Sequence, residues 1–226
     1  MQFVWSINDI DAAAQVTDWL PEGLLPVLPN GVKPNLSKLA LAGHSKGGHT
    51  AFSLVLGHGQ TKLKFSAIIG VDPVAGKAEY SQISPKILTY EPSSLDIGMP
   101  ALVIGTGLGE ESKEVFWIPV GPCAPKGVNH REFYHECKPP CYHFVTKDFG
   151  HFDMIDDDAP IHIKLMKAAI SVEGNGSKDM MRRTVAGIMV AFLKAKLNEE
   201  EGDLEAILKD PKLAPATLDP VEHRLP

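Results

Sequence analysis

The chain has 226 residues, 44% of them hydrophobic and 22% charged. That is the composition of one sizeable globular domain, and it excludes a disordered or fibrous chain; three cysteines allow at most one bridge and exclude a disulfide-rich scaffold. A net charge of -6 offers no basic footprint for nucleic acid, and apolar runs such as 188–193 fall far below the ~20 residues of a membrane span.

In chain order, no Lys or Arg precedes Lys33, whereas Asp9, Asp11, Asp18 and Glu22 do. A secretory leader starts basic and an organellar one is rich in Arg, so neither is expected in this chain. The sequons at Asn35 and Asn175 are read as chance. Ile10, Ala13, Val16, Trp19 and Leu20 have helical spacing over 9–20, and Pro21 is expected to end the run. Pro26, Pro29 and Pro34 with Asn30-Gly31 mark a loop. The apolar run 38–43 predicts a buried strand, 46–56 a helix stopped by Gly57 and Gly59, and 65–71 a second strand closed by Asp72-Pro73. Further strands are predicted at 101–104 and 142–146, and a long helix at 178–197 with Met181, Val185, Ile188, Met189 and Phe192 on one face. Residues 199–226 are charged and rich in Pro, and read as a short helix and a tail. Strand, helix, strand, connection, strand is the order of a parallel α/β sheet.

The densest chemical signal is Gly43-His44-Ser45-Lys46-Gly47, a G-x-S-x-G turn entered by an apolar strand and left by a helix. A turn this sharp presses the residues two before and two after the serine against it, so Gly is expected to be required at both 43 and 47. The helix N-terminus aims backbone N–H groups at the hydroxyl, which makes the N–H of Lys46 the candidate oxyanion donor. The competing reading is a Gly-rich turn with an incidental serine, and the flanking strand and helix favour a nucleophile.

A serine hydroxyl needs a base to remove its proton and a carboxylate to orient that base, in the chain order Ser, Asp or Glu, His. Asp72 ends the next strand and precedes a rigid Pro, whereas Glu110 and Glu111 lie in a Gly-rich loop without an anchor. Asp72 is therefore preferred, against the plainer reading of a turn-initiating Asp. Among nine histidines, His44 cannot fold back on its neighbour's hydroxyl, and His162 and His223 come late. His49 and His58 sit on the following helix and are expected to be partly exposed. His151, in Asp148-Phe149-Gly150-His151-Phe152-Asp153 after the fourth strand, has the right order and sheet edge, and is the candidate base.

Cys123, His130, His135, Cys137, Cys141 and His143 crowd into 21 residues. Their C-x13-C-x3-C spacing lacks the paired knuckle of a zinc site. A structural segment is read first, a disulfide from Cys123 to Cys137 or Cys141 second, and zinc third. The connection 106–143 is long enough to shape a substrate pocket. Gly105-Thr106-Gly107-Leu108-Gly109 follows a strand but has Glu110 where a dinucleotide fingerprint needs Gly, and Gly76-Lys77 lacks the flanks of a phosphate loop. Asp156-Asp157-Asp158 reads as a solvated cap on the next helix rather than a cation site. No metal or cofactor is expected.

Four stretches carry a resemblance: LSKLALAGHSKGGHTAF (36–52), AIIGVDPVAG (67–76), ALVIGTGLG (101–109) and CAPKGVNHREFYHECKPPCYHFVTKDFGHFDMIDDD (123–158). Together and in this order they resemble the plant chlorophyllases, from about residue 10 to 197. The resemblance implies an α/β-hydrolase fold and hydrolysis of the phytyl ester of chlorophyll, or a related phytylated porphyrin, to chlorophyllide and phytol. The magnesium would belong to the substrate. The resemblance places the family's serine, aspartate and histidine on Ser45, Asp72 and His151. It also implies a chloroplast location, with cytosol or endomembrane as alternatives. Lys46 departs from the Arg usual after the nucleophile, which leaves the backbone N–H unchanged but removes a guanidinium hydrogen bond.

An α/β-hydrolase runs through several strands before its nucleophile, and here the nucleophile is residue 45. The expectation is a C-terminal portion of such a domain over 1–198, followed by the tail, with no His-Gly loop ahead of Ser45 to supply a second oxyanion donor. The strand 38–43 would then lie at an open edge, prone to pairing with a second copy. An esterase is the first functional reading, a catalytically inactive remnant that binds pigment or a partner the second, and a zinc-binding module the third.

Overall fold

The computed structural model describes residues 7–115 and 117–226. In chain order its strands are Ala40–His44 (β1), Ala67–Val71 (β2), Ala101–Thr106 (β3), Lys113–Val115 (β4), Ile118–Val120 (β5), Cys141–Thr146 (β6) and Leu218–Arg224 (β7). Its α-helices are Ile7–Gly23 (α1), Lys46–Ser53 (α2), His130–Glu136 (α3), Ile161–Ile170 (α4), Lys178–Asn198 (α5) and Gly202–Lys209 (α6). Strands β1, β2, β3 and β6 are parallel neighbours in that order, and β7 adds to β6 antiparallel. Strands β4 and β5 pair separately as a hairpin. A parallel sheet covered by helices on both faces, with a serine on the turn after β1, is an α/β-hydrolase fold.

Every residue of β2, β3 and β6 is buried, which explains why each reads in the sequence as a continuous apolar run rather than an alternating one. On one face Ile69, Leu102, Ile104 and Phe144 share a core with Met181, Ile188 and Phe192 of α5 and Leu204 of α6. On the other, Ile68, Val103 and Cys141 pack with Phe52 of α2 and Phe133 of α3. Each such side chain contributes about 1.5–3 kcal/mol on burial. Strand β1 is the edge of the described sheet and is only partly covered, by a small cluster of Ile10, Ala14, Leu54 and Leu41.

Three expectations change. Helix α1 runs through Pro21 to Gly23, the Pro costing its last turn the one i→i−4 hydrogen bond to the Thr17 carbonyl. Its buried stripe is narrow, so Val16 and Trp19 are exposed. In the stretch 199–226 the short helix is α6, but no tail follows it: the chain returns as β7, whose His223 and Glu222 pair in register with Tyr142 and His143. The strand was hidden because an edge strand tolerates Pro and carries outward charges, here Pro220, Asp219 and Glu222. The residues around Asp156 do not cap α4, whose cap residue is Pro160; Asp157 instead pairs with Arg182 of α5 at 2.9 Å. Among the described residues no helix is long and apolar enough to cross a membrane.

Candidate active site

Strand β1 delivers the chain into a strained turn. Ser45 has φ 57 and ψ -127, a conformation that a side chain disfavours by about 1–3 kcal/mol. Its backbone is held to the end of β2, its N–H donating to the Val71 carbonyl and its carbonyl accepting from Val74, both at 3.1 Å. A Cβ at Gly43 would lie 2.1 Å from the Gly47 carbonyl oxygen, so Gly43 is required. Gly47 is different from the expectation, since a Cβ there meets nothing within 4 Å. The second close approach is at Gly48, where a Cβ would sit 2.7 Å from Cβ of Pro73. Each helical residue turns the side-chain direction by about 100°, and at 48 it points at the β2 loop.

That loop begins with Asp72, fully buried and with φ 42. Its Oδ2 accepts from the Thr106 hydroxyl at 2.5 Å and from His151 Nδ1 at 2.7 Å, and its Oδ1 accepts from the Thr106 amide at 3.2 Å. A carboxylate only accepts, so the ring proton of His151 lies on Nδ1 and Nε2 offers its lone pair. Ser45 Oγ stands 2.8 Å from that Nε2. Burial alone would raise the Asp72 carboxyl; the hydrogen bond and charge of His151, then His130 and Thr106, outweigh it and hold the group below its usual range.

The His151 loop is fixed from several sides. Asp153 Oδ2 accepts from the amides of Gly150 at 2.8 Å and Gly174 at 2.7 Å, and Lys167 lies 3.5 Å from its other oxygen. His44 Nε2–H donates to the His151 carbonyl at 3.0 Å. Burial, and next the charge of His151, push His44 down to about 4, so it is a neutral donor at neutral pH. Phe152 meets the His151 ring edge-on at 4.9 Å.

The remaining candidates fall elsewhere. Glu110 is anchored after all, accepting from Asn129 at 2.9 Å and Arg131 at 3.0 Å at the start of α3, and Glu111 is exposed. His49 is buried and donates to the Pro85 carbonyl at 3.0 Å, whereas His58 is exposed. His223 stacks on Tyr142, and the His162 side chain lies outside the described residues. All three cysteines are free: Cys123 donates to the Ile170 carbonyl at 3.2 Å, and Cys137 and Cys141 are core residues. A hydrogen bond that the Cys137 thiol donates to Cys141, and burial, hold that thiol well above its usual range. Among the described residues no three His, Cys, Asp or Glu side chains gather as a metal-holding group.

The family model for chlorophyllase matches residues 2–225. The chain belongs to the chlorophyllase family. Chlorophyllase-1 of Arabidopsis thaliana is 45% identical over 215 residues, covering 94% of this chain and 65% of that protein. Chlorophyllase-2 of the same plant is 45% identical over 206 residues, covering 89% and 63%. The protein named Chlorophyllase-1, chloroplastic, of Citrus unshiu is 43% identical over 219 residues, covering 96% and 63%. The chain thus spans a little under two thirds of the length of the curated relatives it matches. The family match includes the segment that holds α6 and β7.

Two features of this chlorophyllase-family site escaped the sequence reading. Thr106 reads in the sequence as part of a glycine-rich loop that fits no nucleotide motif, yet it gives Asp72 two of its three hydrogen bonds. The glycines beside it serve packing: a Cβ at Gly109 would reach 2.6 Å from the Thr106 hydroxyl, and one at Gly107 would reach 1.9 Å from the Lys147 carbonyl. Glycines flanking a Thr at the end of the strand that follows the Asp strand are the available signal. Lys46 directs its ammonium to Asp9 of α1 at 2.5 Å, an ion pair of single-point geometry.

Proposed function

We propose that this chain is a serine carboxylic-ester hydrolase of the chlorophyllase type, releasing phytol from chlorophyll or a related phytylated porphyrin. What carries the reading is the unbroken series from Ser45 Oγ to His151 Nε2 at 2.8 Å and from His151 Nδ1 to Asp72 Oδ2 at 2.7 Å. Ionised Asp72 keeps the ring proton on Nδ1. His151 Nε2 takes the Ser45 proton as Oγ attacks the ester carbonyl carbon. The backbone N–H of Lys46, at the start of α2, meets the oxyanion with the helix dipole behind it. His151 returns its proton to the phytyl oxygen, and phytol leaves. Water, deprotonated by the same nitrogen, then opens the acyl-enzyme and frees the porphyrin carboxylic acid and Ser45. Asp72 stays ionised throughout. The chloroplastic designation of the Citrus relative supports a plastid location.

The test is labelling of Ser45 by a fluorophosphonate together with phytol release from chlorophyll. Ser45→Ala should lower turnover by at least ~10³-fold with the melting transition unchanged. Turnover retained in that variant, or a wild type that neither labels nor releases phytol, overturns the reading.

A further inference from the structure

Two buried histidines stand beside the site without a part in the reaction above. His130 opens α3 and His143 lies in the middle of β6, and they are 1% and 2% exposed. His143 Nδ1 is 2.8 Å from Glu222 Oε2 of β7; the carboxylate only accepts, so Nδ1 carries the proton. His143 Nε2 is then an acceptor, and it takes the Nδ1–H of His130 at 2.9 Å. Tyr134 stacks on the His143 ring at 4.8 Å and 19° and fixes its plane. Burial before all else holds both imidazoles below their usual range, and on His130 a backbone hydrogen bond to Thr106 works against it. At the other end the series reaches β3. A Cβ at Gly105 would lie 2.3 Å from His130 Nδ1, so the ring rests directly on that backbone. The next residue, Thr106, gives both amide and hydroxyl to Asp72.

We infer that His130, His143 and Glu222 are positioning residues: they pin the Gly105–Thr106 backbone and thereby hold Asp72 in line with His151. The inference rests on the hydrolase reading of Ser45, Asp72 and His151, and extends it by making the edge strand β7 part of the support of the site. A buried imidazole pair is costly to desolvate unless each nitrogen is used, so the arm is sensitive to the loss of any one member.

Glu222 is half exposed on an edge strand, so Glu222→Leu removes the end of the arm without opening the core. His143→Leu removes the middle. The conservative variants Glu222→Gln and His143→Gln keep an acceptor for the next donor in the series. Two measurements are made on the full chain. One is kcat and KM for an activated ester. The other is the strongly deshielded proton resonance of His151 Nδ1–H shared with Asp72, assigned by its loss in His151→Gln; it requires no turnover. Both Leu variants should lower kcat by roughly 10- to 100-fold with KM nearly unchanged, and broaden or abolish the resonance; both Gln variants should restore it. A wild type that shows the resonance but no turnover removes the hydrolase reading, while the Leu variants still decide the arm. A wild type without the resonance, or Leu variants that keep it, overturns the arm.

Discussion

Asp72→Asn keeps the shape of the side chain and changes only its hydrogen-bonding character. The carboxylate accepts three hydrogen bonds, two on Oδ2 from the Thr106 hydroxyl and His151, and one on Oδ1 from the Thr106 amide. An amide has one acceptor oxygen. With that oxygen in the Oδ2 place, its NH₂ faces the Thr106 N–H, donor against donor, in a site without solvent. With the amide turned over, the Thr106 N–H is satisfied and the Thr106 hydroxyl can reverse. The NH₂ then faces His151 Nδ1, which must become the acceptor. The ring proton moves to Nε2, where it points at Ser45 Oγ, 2.8 Å away, and blocks removal of the serine proton. The second arrangement avoids two buried donors facing each other and leaves only the rotatable Thr106 hydroxyl proton to find a new acceptor, so it is the one adopted. A wrong tautomer of this kind lowers kcat by about 10⁴, or about 5.5 kcal/mol of transition-state stabilisation. Folding stability changes less, because the lost charge-assisted bonds, about 1.5–3 kcal/mol, are partly offset by no longer burying a charge. The assay is kcat on a p-nitrophenyl ester with a melting curve alongside. Glu110→Gln with Glu111→Gln is the control, and should stay within about threefold of wild type because Glu110 serves the start of α3. An Asp72→Asn enzyme that keeps more than about a tenth of its activity, or an inactive glutamate double variant, would refute the reasoning.

Three further outcomes are expected. Gly48→Ala should destabilise by about 1–3 kcal/mol through its clash with Pro73, whereas Gly47→Ala should be neutral or stabilising by up to ~1 kcal/mol; urea midpoints decide, and equal effects would contradict the packing. His44, pushed down to about 4 from 6.5, is refused a proton that the unfolded chain accepts, so stability should fall as pH drops from about 6.5 towards 4, by about 2 kcal/mol at pH 5 for this group. Urea unfolding at pH 7 and pH 5 should show a smaller fall in His44→Gln than in wild type, and an equal fall counts against the buried neutral state. Asp153→Ala leaves the buried amide of Gly150 unpaired and that of Gly174 without its acceptor, so it should destabilise by about 1–3 kcal/mol and lower kcat through the His151 loop; a variant as stable and active as wild type would show that the loop holds itself.

What was legible in the residues was local. The apolar runs at 67–71 and 101–106 announce buried parallel strands, because both faces of such strands are covered. Gly43 and Ser45 announce a strained strand-to-helix turn, because a Cβ at 43 has no room. The order Ser45, Asp72, His151 singled out the residues that the structure brings into contact, and four long motifs named the family. The assignment of 43 and 47 as the paired glycines failed at 47, because spacing in the sequence does not say which way a helical Cβ points once the helix is docked. The tail reading failed because an edge strand is written in the same charged, Pro-containing residues as a tail.

The sequence by itself determined the strand-turn-helix around Ser45, the parallel order of elements and the short set of groups able to act on an ester. Only the tertiary structure decided that Thr106 holds Asp72 from 34 positions away, and that Glu222 reaches His143 across a separation of 79. Those contacts are set by which strand lies beside which and in what register. A chain pattern of period two or 3.6 carries the local conformation, but it does not contain the distances between segments that meet only when the sheet is assembled.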